Sequence, residues 1–156
     1  MKLKFMVAVM AAFAFVFSAC GSKDAVNKQL VLYYSQTGST KVVAEEIQKM
    51  LDADIELIEL ENPYTGTYAE TLERVKQERE SGNLPALKPL KADLSKYEVI
   101  YLGYPIWFGT YALPIASLVK DYNFEGKKIV TFCTFGSGDL ESALEDLKKS
   151  LPKAEI

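Results

Sequence analysis

The 156-residue sequence contains no histidine. Imidazole acid/base catalysis, Ser-His-Asp triads and histidine-ligated metals are therefore excluded within this chain. Cysteine is nearly as scarce. Cys20 and Cys133 are too far apart for a CxxC metal or redox motif. Cys133 falls inside the apolar run IVTFCTFG and is expected to be a buried core thiol. Basic charge is not in excess: 18 Lys and Arg stand against 21 Asp and Glu, for a net −3. That balance argues against a nucleic-acid surface and against nucleic-acid partners. No internal repeat or low-complexity block breaks the sequence. What is present is a chain with 49% apolar and 25% charged residues, a composition that supports a packed core in one domain of ordinary size.

The N-terminus has its own character. MKLK carries two lysines, FMVAVMAAFAFVF is an unbroken apolar run, and SAC closes it with small residues and a cysteine. The run is shorter than the roughly 20 residues a spanning helix needs, and the order of parts describes a secretory signal. FSAC-GS also resembles the lipobox of bacterial lipoproteins, with cleavage before Cys20. On that resemblance residues 1–19 are a lipoprotein signal peptide, Cys20 is the lipidated (palmitate-bearing) N-terminus, and residues 20–28 are a tether to a domain over 29–156. The protein would then be exported and lipid-anchored to a bacterial membrane, on the periplasmic side or the cell surface. A simple signal peptide or an uncleaved anchor remain alternatives.

From Leu30 onward, strand and helix patterns alternate. LVLYYS is a short apolar run, expected to be a buried strand. STKVVAEEIQKML places Val43, Ile47, Met50 and Leu51 on one helical face, with Glu45 and Lys49 spaced for an i,i+4 pair. ADIELIEL alternates, and its acids suit an edge strand. The segment from Asn62 to Leu90 predicts a solvated helix with a thin stripe of Tyr68, Leu72 and Val75, then a loop marked by Gly82 and Pro85. YEVIYLGYPIW does not alternate and predicts a strand buried on both faces. LPIASLVKDY is a helix with Pro114 in its first turn, and KKIVTFCTFG another buried strand. DLESALEDLKKSLP puts Leu140, Leu144, Leu147 and Leu151 along one helical face, and KAEI opens one more strand. Alternating strands and helices predict an α/β fold, a doubly wound parallel sheet with right-handed crossovers. Ligands of such sheets bind beyond the strands' carboxyl ends, where the strand order reverses.

Three turns at strand carboxyl ends have unusual composition. SQTGST gathers Ser35, Gln36, Thr37, Gly38, Ser39 and Thr40 at the mouth of a helix, with no charge among them. The free N–H groups of a helix's first turn and its dipole make an anion site, to which hydroxyls add donors and glycine adds close approach. A phosphate monoester fits that chemistry. The bland alternative is a local N-cap, although one cap needs only one such residue. The turn matches neither GxxxxGK[ST] nor GxGxxG, which disfavours NTP hydrolysis and NAD binding through it. GYPIWFGTYALP sets Pro105, Ile106, Trp107, Phe108 and Gly109 just past the most apolar strand, where an indole can stack on a planar heterocycle or simply pack inward. Gly103 and Gly109 would open backbone amides to the edge of such a ring. TFGSGD can close the slot through Thr134, Phe135 and Gly136, or can merely cap the next helix through Ser137 and Asp139.

YSQTGSTKVVAEEI closely resembles the phosphate loop of flavodoxins, and GYPIWFGTYALP their second flavin loop. The segment with Pro63, Tyr64, Tyr68 and Pro85 resembles a bacterial subgroup with a tyrosine-rich connection. The resemblance implies a flavodoxin-like sheet of order 2-1-3-4-5, with the fifth strand and last helix incomplete or missing by Ile156. That strand order is flavodoxin's own. The resemblance also implies non-covalent FMN, its phosphate on Ser35 to Thr40 and its ring system against Pro105 to Gly109 with Thr134 to Gly136 beside it. No acid/base catalytic residue is implied. The expected function is electron transfer between redox partner proteins. An FMN-dependent NAD(P)H or quinone reductase and a flavodoxin-like module without cofactor are the alternatives.

Overall fold

The computed structural model describes residues 28–136 and 140–156. The expected signal peptide, Cys20, the tether up to Asn27 and the alternative cap candidates Ser137 and Asp139 lie outside the described residues. The elements are β1 (Gln29–Tyr33), α1 (Ser39–Leu51), β2 (Asp54–Leu57), α2 (Tyr68–Ser81), β3 (Val99–Trp107), β4 (Thr110–Tyr111), α3 (Leu113–Asp121), β5 (Lys128–Thr134) and α4 (Leu140–Ser150).

β3 lies at the centre of the sheet because it is the longest apolar run. Ile100, Leu102 and Tyr104 are fully buried, and the strand pairs in parallel with β1 on one side and β5 on the other. β2 pairs with the outer side of β1, so the long strands run β2-β1-β3-β5. Without the two-residue β4, this is the expected order 2-1-3-4. The fifth position is opened by KAEI: Ile129 N–H donates to the Glu155 carbonyl at 2.7 Å and Glu155 N–H to the Lys127 carbonyl at 2.9 Å. The sequence did not announce β4, which folds back antiparallel on the end of β3.

Helices cover both faces. Under α3 and α4, Leu30, Leu32, Ile100, Leu102, Leu118 and Leu147 form the larger core. Under α1, Val31, Tyr33, Ala44 and Ala53 form a smaller one. β2 is an edge strand, as its acids suggested, and Pro114 sits in the first turn of α3. α2 starts at a capping box, with Thr67 Oγ1 accepting from Glu70 N–H while Glu70 Oε2 accepts from Thr67 N–H at 2.6 Å.

Four expectations are corrected. α1 buries Thr40 and Ala44, whereas Met50 is 82% exposed and Val43 and Leu51 face solvent. A helix lying close over a sheet needs small residues at the contact, and a count of large apolar side chains misses them. The pair expected between Glu45 and Lys49 gives way to Lys41–Glu45 at 3.6 Å and Lys49–Glu46 at 2.7 Å. On α4, Leu147 and Leu151 are buried as expected, but Ala143 takes the place expected of Leu140, which is exposed. β5 is only half covered: Val130 is exposed and Cys133 is half-buried, not a fully buried core thiol. Among the described residues α1 packs chiefly over β1, leaving its side of β5, where Val130 lies, thinly covered, while Cys133 on the opposite face packs against the larger core.

Gly103 of β3 stands opposite Phe132 of β5 in the parallel register. A Cβ there would meet Phe132 Cζ at 2.2 Å, so the missing side chain is what lets the Phe132 ring lie across the sheet. Gly103→Ala is expected to cost about 1–3 kcal/mol through overpacking. In that background Phe132→Ala should cost much less than it does alone, measured by equilibrium denaturation of the four proteins. Strict additivity of the two substitutions would show that ring and glycine do not meet.

Candidate functional site

The first loop leaves β1 at Tyr34, whose N–H donates to the Gly103 carbonyl at 2.9 Å. Gly38, at φ 94°, then turns the chain into α1, a left-handed conformation that glycine adopts without strain. Ser35 folds under the turn, its Oγ accepting from the N–H groups of Gly38 at 3.1 Å and Lys41 at 3.2 Å. That leaves the N–H groups of Ser39 and Thr40 without an acceptor in the helix. The first turn holds no acidic residue, so no side chain of that turn neutralises the positive end of the helix. Thr37 and Ser39 are exposed, their hydroxyls 3.4 Å apart.

Two loop residues are committed elsewhere. Thr40 is 1% exposed, and its hydroxyl lies 2.8 Å from the Thr134 hydroxyl, joining the first loop to the third. The Gln36 side chain turns to its neighbours, accepting from Tyr34 OH at 2.5 Å and donating to the Tyr64 carbonyl at 3.0 Å. Thr40→Val is expected to destabilise the fold by about 1–3 kcal/mol, because it strands the Thr134 hydroxyl. The double variant Thr40→Val with Thr134→Val should recover part of that loss in a denaturation cycle. No recovery would mean the hydroxyls do not depend on each other.

The second loop is a hairpin tip. Trp107 pairs with Thr110, and the two residues between them, Phe108 at φ 51° and Gly109 at φ 77°, are both left-handed, as a two-residue hairpin of type I′ requires. Phenylalanine pays for that conformation in strain. Its ring is 50% exposed and the Arg79 guanidinium stands 5.0 Å from the ring centre. The Ile106 side chain is buried, and the Pro105 carbonyl accepts from Ala112 N–H at 3.1 Å. Gly103, expected to offer its backbone to a ligand, is instead paired within the sheet. Trp107 meets two tyrosines edge to face, Tyr34 at 5.8 Å and 87° and Tyr64 at 5.6 Å and 76°. Burial pushes the hydroxyl pKa of both tyrosines well above the ordinary phenol value, so both stay neutral hydrogen-bonding groups.

These loops enclose a cavity of about 460 Å³, within the range of small-molecule pockets. Gln36, Thr37 and Thr40 line it from the first loop, all five residues from Pro105 to Gly109 from the second, and Thr134 and Gly136 from the third. Ser35, Gly38 and Ser39 build the helix mouth beside it without lining it. Phe135 does not line it and is half-exposed. The fourth wall was not foreseen: α2 contributes Tyr68, Thr71, Leu72 and Val75. The thin stripe on α2 was the available signal, because three apolar positions are too few to seat a helix on a core but enough to line a slot. A wider hollow of about 600 Å³ runs along the outer edge of β2. Its carboxylates already have partners, Asp54 accepting from Tyr97 OH at 2.7 Å and Glu56 from the N–H groups of Lys91 and Ala92 at 2.6 and 2.8 Å.

Comparison with known proteins points the same way. The model of a family described as Flavodoxin matches residues 28–156. No match was found among curated proteins. Among solved structures, a candidate flavoprotein from Bacteroides eggerthii superposes with a TM-score of 0.74 at 30% identity, over 81% of this chain and 82% of that one. One from Bacteroides uniformis gives 0.74 at 29%, over 82% and 85%. A flavoprotein from Lactobacillus acidophilus, solved in complex with FMN, gives 0.75 at 22%, over 83% and 89%, and shares the fold.

Proposed function

Because the chain belongs to the flavodoxin family, we propose that its three-loop cavity holds FMN non-covalently and that the protein carries electrons between redox partners. The observation that carries this reading is the meeting, at one end of the sheet, of an uncharged helix mouth and a cavity walled by an indole. The donor set fits the group. A phosphate would take the unpaired N–H groups of Ser39 and Thr40 and the hydroxyls of Thr37 and Ser39, with the helix dipole favouring its charge. A tricyclic ring would lie in the slot lined by Trp107 and Phe108 on one side and Thr134 and Gly136 on another, with Tyr68 and Leu72 of α2 shielding it.

When bound, FMN supplies one- and two-electron redox chemistry. The chain's own part is positional. Trp107 orients the ring, Thr37 and Ser39 fix the phosphate end, and the apolar walls keep water from the ring faces. A visible absorption spectrum of the purified protein, with mass spectrometry of any released chromophore, tests the reading. A yellow protein releasing FMN is expected. A protein that stays colourless after FMN is added would overturn it. Rapid oxidation of NADPH by the loaded protein alone would replace the carrier with a reductase.

The N-terminal sequence supports a location for this activity. MKLK, the apolar run and FSAC-GS are the parts of an exported lipoprotein, so the domain is read as tethered through lipidated Cys20 to a bacterial membrane. A Cys20→Ser variant should leave the membrane fraction and lose the lipid mass. Retention of that mass would sink the assignment.

A further inference from the structure

We propose that Glu78 is a positioning residue for Trp107, acting through Tyr64, and that a hydrogen-bonded chain from Glu78 through Tyr64 and Gln36 to Tyr34 couples the indole to the anion-holding loop. The proposal rests on the FMN reading above and extends it to residues outside the three loops.

The connections are continuous. On α2, the Glu78 carboxylate accepts from Arg74 Nε at 2.9 Å through one oxygen and from Tyr64 OH at 2.5 Å through the other. Arg74 is fixed in turn: its guanidinium donates to the Pro63 and Asn62 carbonyls at 3.0 and 2.9 Å and lies 4.3 Å from the centre of the Tyr64 ring. The Tyr64 carbonyl accepts from the Gln36 amide, whose oxygen accepts from Tyr34 OH. Both tyrosine rings are 5% exposed, and both meet the indole within 6 Å of its centre.

Packing alone would hold these rings loosely, because an edge-to-face contact is worth only about 0.5–1.5 kcal/mol beyond the area it buries. Bonds to a charged, largely buried carboxylate are stronger and directional. The Glu78 side chain is 16% exposed, so its two bonds are poorly screened. Three walls of the cavity therefore share one network: α2 through Glu78, the phosphate-side loop through Gln36, and the end of β3 through Trp107. A change in the tilt of α2 would be felt by the indole.

Trp107 is the only tryptophan in the sequence, so its fluorescence under red-edge excitation and the long-wavelength edge of the near-ultraviolet circular dichroism, beyond tyrosine absorption, report this ring. The test compares wild type, Glu78→Ala, Tyr64→Phe and Glu78→Gln, first without flavin. Glu78→Ala and Tyr64→Phe are expected to weaken the tryptophan dichroism and add a fast component to the anisotropy decay. Glu78→Gln, which keeps an acceptor for Tyr64, should restore most of the signal. FMN titration should then give a dissociation constant raised about tenfold in Glu78→Ala. In a Trp107→Ala background the same substitution should change it less than about twofold if the effect passes through the indole. An unchanged tryptophan signature, or an undiminished effect in that background, overturns the proposal. Tyr64→Phe keeps the ring contact and guards against simple unfolding in the alanine variant. Should wild type itself fail to bind FMN, the cofactor reading fails, and the flavin-free spectra still decide whether Glu78 positions the ring.

Discussion

Ser39→Asp is expected to weaken FMN about 100-fold while slightly stabilising the protein without flavin. Ser39 is the first residue of α1, it is exposed, and no acidic residue stands in that turn. A carboxylate there meets the positive end of the helix and stabilises it by roughly 0.3–1 kcal/mol. The same carboxylate sits where a phosphate would bind. Two unit charges about 4 Å apart interact by roughly 4 kcal/mol at an effective dielectric of 20. Solvent at the open mouth reduces this to about 2–3 kcal/mol, which is on the order of a hundredfold in affinity. Riboflavin, which has no phosphate, should bind the variant and the wild type alike. Flavin fluorescence titrations with both ligands, alongside denaturation curves, check all three signs. Equal losses for FMN and riboflavin would remove the phosphate from this loop.

Trp107→Ala should have the next largest effect, and on two properties at once. A fully buried Trp→Ala typically costs about 3–5 kcal/mol, and the partly buried indole here should cost about 2–3 kcal/mol. Much of that loss comes from Tyr34 and Tyr64, which both give up their edge-to-face partner. FMN affinity should fall as well, by about tenfold from stacking alone. The reduction potential of bound FMN should shift, since the ring loses its aromatic neighbour. Stability and potential are measured separately, by denaturation and by redox titration. A loss of stability with an unchanged potential would assign Trp107 to packing alone.

The parallel sheet was legible because bounded apolar runs at β1, β3 and β5 and an alternating one at β2 are interleaved with helical patterns, whereas the strand order came with the resemblance to flavodoxins. All three loops stood out at strand carboxyl ends, SQTGST for its clustered hydroxyls and GYPIWFG for its rings, without a core-forming period. Local text carries that information. The orientation of side chains within the loops was not legible. Ser35, Gln36 and Thr40 all read as donors to a ligand, yet Ser35 caps its own turn, Gln36 bonds Tyr34 and Tyr64, and Thr40 pairs with Thr134. Those partners lie up to 94 residues away. The α2 wall was hidden for a similar reason: Tyr68 and Leu72 look like a weak core face until tertiary structure sets them over the cavity. On α1 the error was one of size, since Ala44 and Thr40 make the contact that Val43 and Met50 were expected to make.

The Thr40–Thr134 bond also bears on when the cavity comes into being. It joins residues 94 positions apart, one from the first strand–helix turn and the other from the last long strand. A chain still leaving the ribosome can form the turn after β1 early, from neighbours alone. It cannot seal the floor of the cavity until β5 has emerged and docked beside β3, a pairing of high sequence separation. A nascent fragment ending before Thr134 would present the helix mouth as an open ledge. Cofactor loading therefore belongs to the finished domain, after translation of β5.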